Sequence, residues 1–149
     1  MPNSNPLDVL NAYIKQHKLR HTYERERVLE YILTIDGHFT VQSVHEEMNK
    51  ETPISRGSIY NIIELFLNAG IVVRHPFAGA EAEYETTMRA STHHHRICTS
   101  CGAIKEFSDQ KFSRAIKNRT FASFQPKFHS IYIYGLCKKC QPKIKKTKK

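Results

Sequence analysis

Cys98 and Cys101, then Cys137 and Cys140, are the four cysteines of this 149-residue chain. Each pair has two intervening residues, so one tight turn can aim both sulfurs at one point. Two such knuckles build a closed, tetrahedral four-thiolate site, the usual environment of structural Zn²⁺. The 35 residues between the pairs would be clamped into one loop. Disulfides are the competing reading. They are disfavoured because the opening MPNSNPLDVL has no basic segment followed by an apolar core, as a secretory signal would. A thioredoxin-like redox motif would use one pair, not two matched ones. No apolar run approaches the ~18 residues that cross a bilayer. The expectation is a cytoplasmic chain with no membrane partner.

Charge is unevenly spread over the sequence. The formal net charge is +9. Residues 1–80 hold 8 basic and 9 acidic residues, whereas residues 81–149 hold 15 basic and 5 acidic. Such a basic chain suits a polyanion partner. Five of the lysines form a tail (Lys143, Lys145, Lys146, Lys148 and Lys149), either a solubilising arm or a phosphate-contacting one.

Apolar periodicity divides the chain. Leu7, Leu10, Tyr13 and Ile14 have helical spacing just after Pro6. Thr22 reads as the N-cap of a second helix with an inward stripe of Val28, Leu29, Ile32 and Leu33, ended by Asp36-Gly37. Thr40 caps a third helix, with Val41, Val44 and Met48 inward. Ser55 caps a fourth, with Ile59, Ile62, Ile63, Phe66 and Leu67 inward and Gly70 as its C-terminal stop. The period then changes. Ile71 to Arg74 is β-branched, Ala78-Gly79-Ala80 is a turn, and Ala82 to Thr86 returns as a strand. Short helices ending in a hairpin describe a winged helix-turn-helix over residues 1–86, with the fourth helix as the major-groove reader.

Residues 87–140 read as a second, α/β unit. It has strands at Arg96–Cys98, Ala103–Phe107 and Phe128–Tyr134 and a helix from Lys111 to Phe121. So short a piece needs a metal or a partner chain to complete its core. Residues 141–149 are the basic tail. The fold class expected is α+β.

His93-His94-His95 stands just before the first knuckle. On a strand, His93 and His95 share one face and His94 takes the other. Glu85 and Glu106 could add oxygen ligands, and His38 lies between the second and third helices. A mixed nitrogen and oxygen set suits Zn²⁺, Fe²⁺ or Mn²⁺. On the opposite face, His94 could pair with His129. A solvated polar run is the alternative reading of the triplet.

These motifs together resemble the ferric uptake regulator family of bacterial metal-sensing repressors, over roughly residues 15–140. Leu19-Arg20-His-Thr22-Tyr-Glu-Arg25-Glu-Arg-Val28-Leu29 is similar to the family's opening LRxTxxRxxVL, and Ser58-Ile-Tyr60-Asn61 to its recognition-helix TVYR or TVYN. Gly70-Ile-Val, His93-His-His95-Arg-Ile-Cys98-Thr-Ser-Cys101-Gly and Ile133-Tyr134-Gly135-Leu-Cys137-Lys-Lys-Cys140 follow in family order. The resemblance implies a homodimer with an N-terminal winged-helix domain and a C-terminal dimerisation domain. It implies a double-stranded operator as partner, met by Arg25, Ser58, Tyr60 and Asn61. It places structural zinc on Cys98, Cys101, Cys137 and Cys140, and regulatory Fe²⁺, Mn²⁺ or Zn²⁺ on His38, Glu85, His93, His95 and Glu106. A further family site falls on Thr92, His94, Ser113 and His129, of which only the two histidines are good ligands.

Three positions bear on the branch. Asn61 stands where many iron-responsive members carry Arg and the peroxide-sensing branch often carries Asn. Glu85 and Glu106 stand where that branch typically has Asp. The expected function is therefore a ferrous-iron-sensing repressor of iron homeostasis genes, with peroxide or zinc sensing as alternatives. A zinc-stabilised RNA-binding or interaction module would share the knuckles and basic tail. A zinc enzyme is disfavoured, because neither a His-Glu-x-x-His helix nor the paired deaminase motifs occur.

Overall fold

Capping residues set the start of each N-terminal helix in the computed structural model, which describes residues 4–77 and 79–142. Helix α1 (Pro6–Gln16) begins where the Asn5 side chain accepts from the Leu7 amide. Thr22 accepts from Arg25 to open α2 (Tyr23–Thr34). A reciprocal Thr40–Ser43 capping box opens α3 (Val41–Met48), and Ser55 accepts from Ser58 to open α4 (Arg56–Asn68). Gly70, at φ 78°, makes the left-handed turn out of α4 that a residue with a Cβ would resist.

The helices close on one apolar cluster. Leu10, Val28, Leu29, Ile32, Ile63 and Phe66 are nearly or wholly shielded from solvent, and Ile71, Val72 and Tyr84 bring the hairpin onto it. Leu33 is the exception to the predicted stripe. It follows Ile32 by a 100° rotation, which carries it off the inward face, and it is 42% exposed.

The hairpin pairs β1 (Val72–His75) with β2 (Glu83–Thr86) antiparallel, Val73 opposite Glu85. Phe39, on the α2–α3 loop, exchanges two backbone hydrogen bonds with Tyr84 at 2.9 and 2.8 Å. His38 is thereby fixed beside Glu85. A single turn of helix, α5 (Thr87–Ala90), then leads to the second sheet.

That sheet has the order β4-β3-β5, from β3 (His94–Cys98), β4 (Ile104–Phe107) and β5 (Tyr132–Gly135). Strands β3 and β4 are antiparallel, joined by a knuckle whose Gly102 has φ 75°. Strands β3 and β5 are parallel, so both end on a Cys-x-x-Cys turn at the same sheet end. An antiparallel β5 would have put the second knuckle at the far end.

Two elements are shorter than their sequence pattern. Helix α6 (Gln110–Lys117) stops at its Asn118 C-cap, short of Phe121. Phe121 instead forms an isolated bridge with Phe124. Strand β5 begins at Tyr132 rather than Phe128, because its partner β3 offers a ladder only from His95 opposite Tyr132. Ala78 of the expected turn and the lysines from Lys143 onward lie outside the described residues. No helix among the described residues is long and apolar enough to cross a membrane.

Candidate metal centres

The parallel register delivers the four sulfurs to one place. One ligand atom each from Cys98, Cys101, Cys137 and Cys140 falls within 4.8 Å of all the others. The Cys101 and Cys137 sulfurs are 3.7 Å apart. Two thiolates ~2.3 Å from one tetrahedral ion would lie roughly 3.8 Å apart, so the spacing fits. The Cys101 and Cys137 amides point at Cys98 Sγ, at 3.5 and 3.4 Å. Those two amide donors pull the Cys98 thiol down to about 6. Cys140 moves the other way. A Ser100 hydroxyl bond lowers it, but the neighbouring Cys137 and Cys101 sulfurs push it up to about 12. One thiolate is favoured at the next one's expense, which a shared divalent cation would resolve.

The second centre lies between the winged-helix region and the second sheet. His38 arrives from the α2–α3 loop and Glu85 from β2. His93 precedes β3 and His95 is on it, whereas Glu106 is on β4 opposite His95. The structure brings all five together. His38 Nε2 is 3.2 Å from His95 Nε2, 3.8 Å from Glu85 Oε1 and 3.9 Å from Glu106 Oε1. His93 Nε2 is 3.1 Å from Glu85 Oε2 and 3.6 Å from Glu106 Oε1. Donors ~2.1 Å from a common ion sit roughly 3–4 Å from one another, and these do. Glu85 Oε2 and His93 Nε2 are buried and close, yet neither makes an aligned hydrogen bond. Two buried ligand atoms facing each other without an aligned hydrogen bond fit a cation between them, even with Arg89 Nε 3.3 Å from the same Glu85 oxygen.

Burial and the adjoining His75 and His93 imidazoles hold His95 down to about 4, so it presents a free lone pair at neutral pH. Burial likewise lowers His38. Burial opposes ionisation of Glu85, but the His75 hydrogen bond and the surrounding imidazoles outweigh it and keep the carboxyl below its usual range. The ring of Phe77 lies 5.2 Å from His38, 4.6 Å from His75 and 5.4 Å from His95, shielding the cluster from one side.

His94 points away from this centre, as strand alternation requires. Its Nε2 is 3.3 Å from the Ser113 hydroxyl, and its ring centroid is 6.3 Å from that of His129. Both His129 nitrogens and His94 Nδ1 are buried and have no hydrogen-bond partner among the described residues. Thr92 does not join them, because its hydroxyl donates to the Arg89 carbonyl at 2.7 Å. Ser58, Tyr60 and Asn61 are exposed near the start of α4, Tyr60 by 49%. Arg25 is half-buried, and its guanidinium donates to the Arg20 carbonyl.

The family model described as the ferric uptake regulator family matches residues 16–134, most of the chain. The chain belongs to the ferric uptake regulator family. Among its relatives, the peroxide-responsive repressor PerR of Staphylococcus aureus (strain Mu50) is 28% identical over 134 residues, 89% of each chain. The Vibrio cholerae ferric uptake regulator, in which the DNA-binding domains rearrange, is 28% identical with a TM-score of 0.55, covering 85% of this chain and 98% of that one. The Helicobacter pylori regulator, which has three functional metal binding sites, shares the fold at a TM-score of 0.62 and 23% identity, over 92% of each chain. Members of this family are transcription regulators, not enzymes.

Three residues of the family member's hinge escaped the sequence reading. His75 Nε2 lies 2.9 Å from Glu85 Oε1, and its Nδ1 lies 2.6 Å from the Tyr132 hydroxyl. Arg89 lies 2.6 Å from Asp36, 3.3 Å from Glu85 and 3.8 Å from Glu106. Period-two alternation could have found His75, since it shares a hairpin face with Glu85. Tyr132 had no such signal, being 57 residues from its partner.

Proposed function

We propose that this chain is a metal-dependent, DNA-binding transcriptional repressor that senses ferrous iron in the cytoplasm. The observation that carries the reading is the origin of the hinge donors. His38 and Glu85 belong to the winged-helix region, whereas His93, His95 and Glu106 belong to the second sheet. These five are the proposed regulatory ligands, and the four cysteines the proposed structural zinc ligands. Fe²⁺, Mn²⁺ or Zn²⁺ bound at the hinge would supply positive charge that lets Glu85 and Glu106 approach one centre.

The protein's own groups then set the angle between the two regions. A dimer reads two half-sites only when that angle matches their spacing. Strand β5 supports self-association, because it is a sheet edge carrying exposed Ile133 and Tyr134. Ser58, Tyr60 and Asn61 are the proposed base-reading positions, and Asn61 suits adenine. Arg25 is the proposed phosphate contact. His94 and His129, beside Ser113, are a proposed accessory site. Domain boundaries near residues 86 and 140 follow the same reading.

Operator binding titrated with and without Fe²⁺ or Mn²⁺ tests it, using the full chain and the His93→Ala/His95→Ala variant. Metal is expected to tighten binding at least tenfold in the native chain and not in the variant. Equal binding by metal-free and metal-loaded protein would end the sensor reading.

Peroxide sensing is the second reading, favoured by the 28% identity to the staphylococcal peroxide-responsive repressor. Mass spectrometry after Fe²⁺ and peroxide should then find one added oxygen atom on His38 or His93. An unmodified pair removes this reading and leaves metal sensing intact.

A further inference from the structure

A groove of about 560 Å³ separates helix α4 from the hairpin. One wall is Arg56, Gly57, Tyr60 and Asn61 of α4, and the other is Glu81 and Ala82 at the entry to β2. An ion pair bridges the two walls, with Arg56 Nη2 3.2 Å from Glu81 Oε1.

Stability does not explain these residues. Both side chains of the pair are well exposed, 57% and 42%, where an ion pair contributes little. Arg56 is also the first residue of α4, and a cation is disfavoured beside the free amides of a helix start. Gly57 comes next, in helical backbone, where glycine is less stable than alanine. A Cβ there would meet nothing within 4 Å among the described residues, so no packing inside the chain requires the glycine. A guanidinium beside bare backbone leaves both charge and room for an anion approaching from outside.

We propose that this groove receives one strand of the duplex backbone, with Arg56 as a phosphate contact and Glu81 as the acid that holds it in check. This rests on the reading of the chain as a DNA-binding repressor and adds a contact and its restraint to it. The helix wall of the groove includes Tyr60 and Asn61, so a duplex read there brings its backbone past Arg56 and Gly57. A phosphate offers Arg56 charge-assisted bonds, stronger than those of a solvated surface pair. Glu81 faces the same polyanion and is repelled by it. An encounter held only by long-range charge meets a neutralised pair, whereas a strand seated over Gly57 displaces Glu81 and gains the arginine.

Equilibrium binding by the manganese-loaded full chain tests this over a range of salt. The probes are a duplex that the native chain selects from a random pool and an unrelated duplex of equal length. Arg56→Gln is expected to weaken binding to both about 10-fold and to flatten the slope of log affinity against log salt by about 0.9, the value for one phosphate. Arg56→Lys keeps a point charge and should restore most of both. Glu81→Gln should tighten binding about 3-fold, with a smaller gain when residue 56 is already glutamine. Gly57→Ala should raise the melting temperature yet weaken binding about 10-fold, a combination that a purely structural glycine would not give. Helicity and zinc content identify variants that are folded. A loss confined to the selected duplex, or as deep in Arg56→Lys as in Arg56→Gln, makes Arg56 a base reader and overturns the phosphate contact. Native affinity and slope in Arg56→Gln, or native affinity in Gly57→Ala, overturns the groove as a docking site. Equal gains from Glu81→Gln in both backgrounds overturn the restraint. If the native chain binds no duplex, the proposed function itself falls.

Discussion

Replacing Cys98 and Cys101 together with serine is expected to unfold the second sheet and leave the helices standing. The C-terminal region has little apolar core of its own. Among the described residues from 87 onward, only Ala90, Ile97 and Cys98 are buried and apolar. A structural zinc contributes roughly 10–16 kcal/mol at neutral pH, more than a whole domain's usual margin. Ala90 and Ile97 cannot replace it. The helical cluster from Leu10 to Tyr84 is separate and closed, so its far-ultraviolet signal should survive. Near-ultraviolet circular dichroism, zinc content and sedimentation should together show lost aromatic packing, no tight zinc and no dimer. A variant that melted as the native chain does and kept its oligomeric state would show that the thiolates are dispensable.

The next largest effect is expected at Glu85. Its carboxylate is fully buried and faces His75, His93, His38 and Arg89 at once. Glu85→Gln keeps the volume and removes the charge. It should weaken hinge-metal binding at least about 100-fold, near 2.7 kcal/mol, and make operator affinity indifferent to metal. Glu106→Gln should cost less, because Glu106 is 45% exposed and its contacts are longer. Mn²⁺ titration followed by calorimetry on the two variants checks the order. A larger loss at Glu106 than at Glu85 would move the centre of the site outward.

Much of this could be read from the sequence. Thr22, Thr40 and Ser55 cap helices because a side-chain oxygen beside free amides is a local arrangement, decided within four residues. The paired Cys-x-x-Cys turns announced their site for the same reason. His93 and His95 were legible from strand alternation, with Glu85, Glu106 and His38 as possible additions, but only the family resemblance joined all five in one site, since they come from four separate segments. His75, Tyr132 and Arg89 were not legible. His75 faces Glu85 only in the register that puts Val73 opposite Glu85. Tyr132 reaches it only because β5 lies parallel to β3 with Tyr132 opposite His95. The overlong helix to Phe121 and overlong strand from Phe128 fail similarly, for periodicity continued where the partner element did not.

The Phe39–Tyr84 bridge has a mechanical corollary. It fastens the loop bearing His38 to the strand bearing Glu85, and the hairpin ladder fastens His75 to both. His38 and Glu85, with His75 between them, are therefore held as one stiff jaw. On the proposed reading, closing it on the opposite jaw would be a single rotation, with no floppy side chains to gather from solution. Little entropy would then be lost on clamping, and a small preference for one ion would pass almost undiluted into the pose of the proposed reading head.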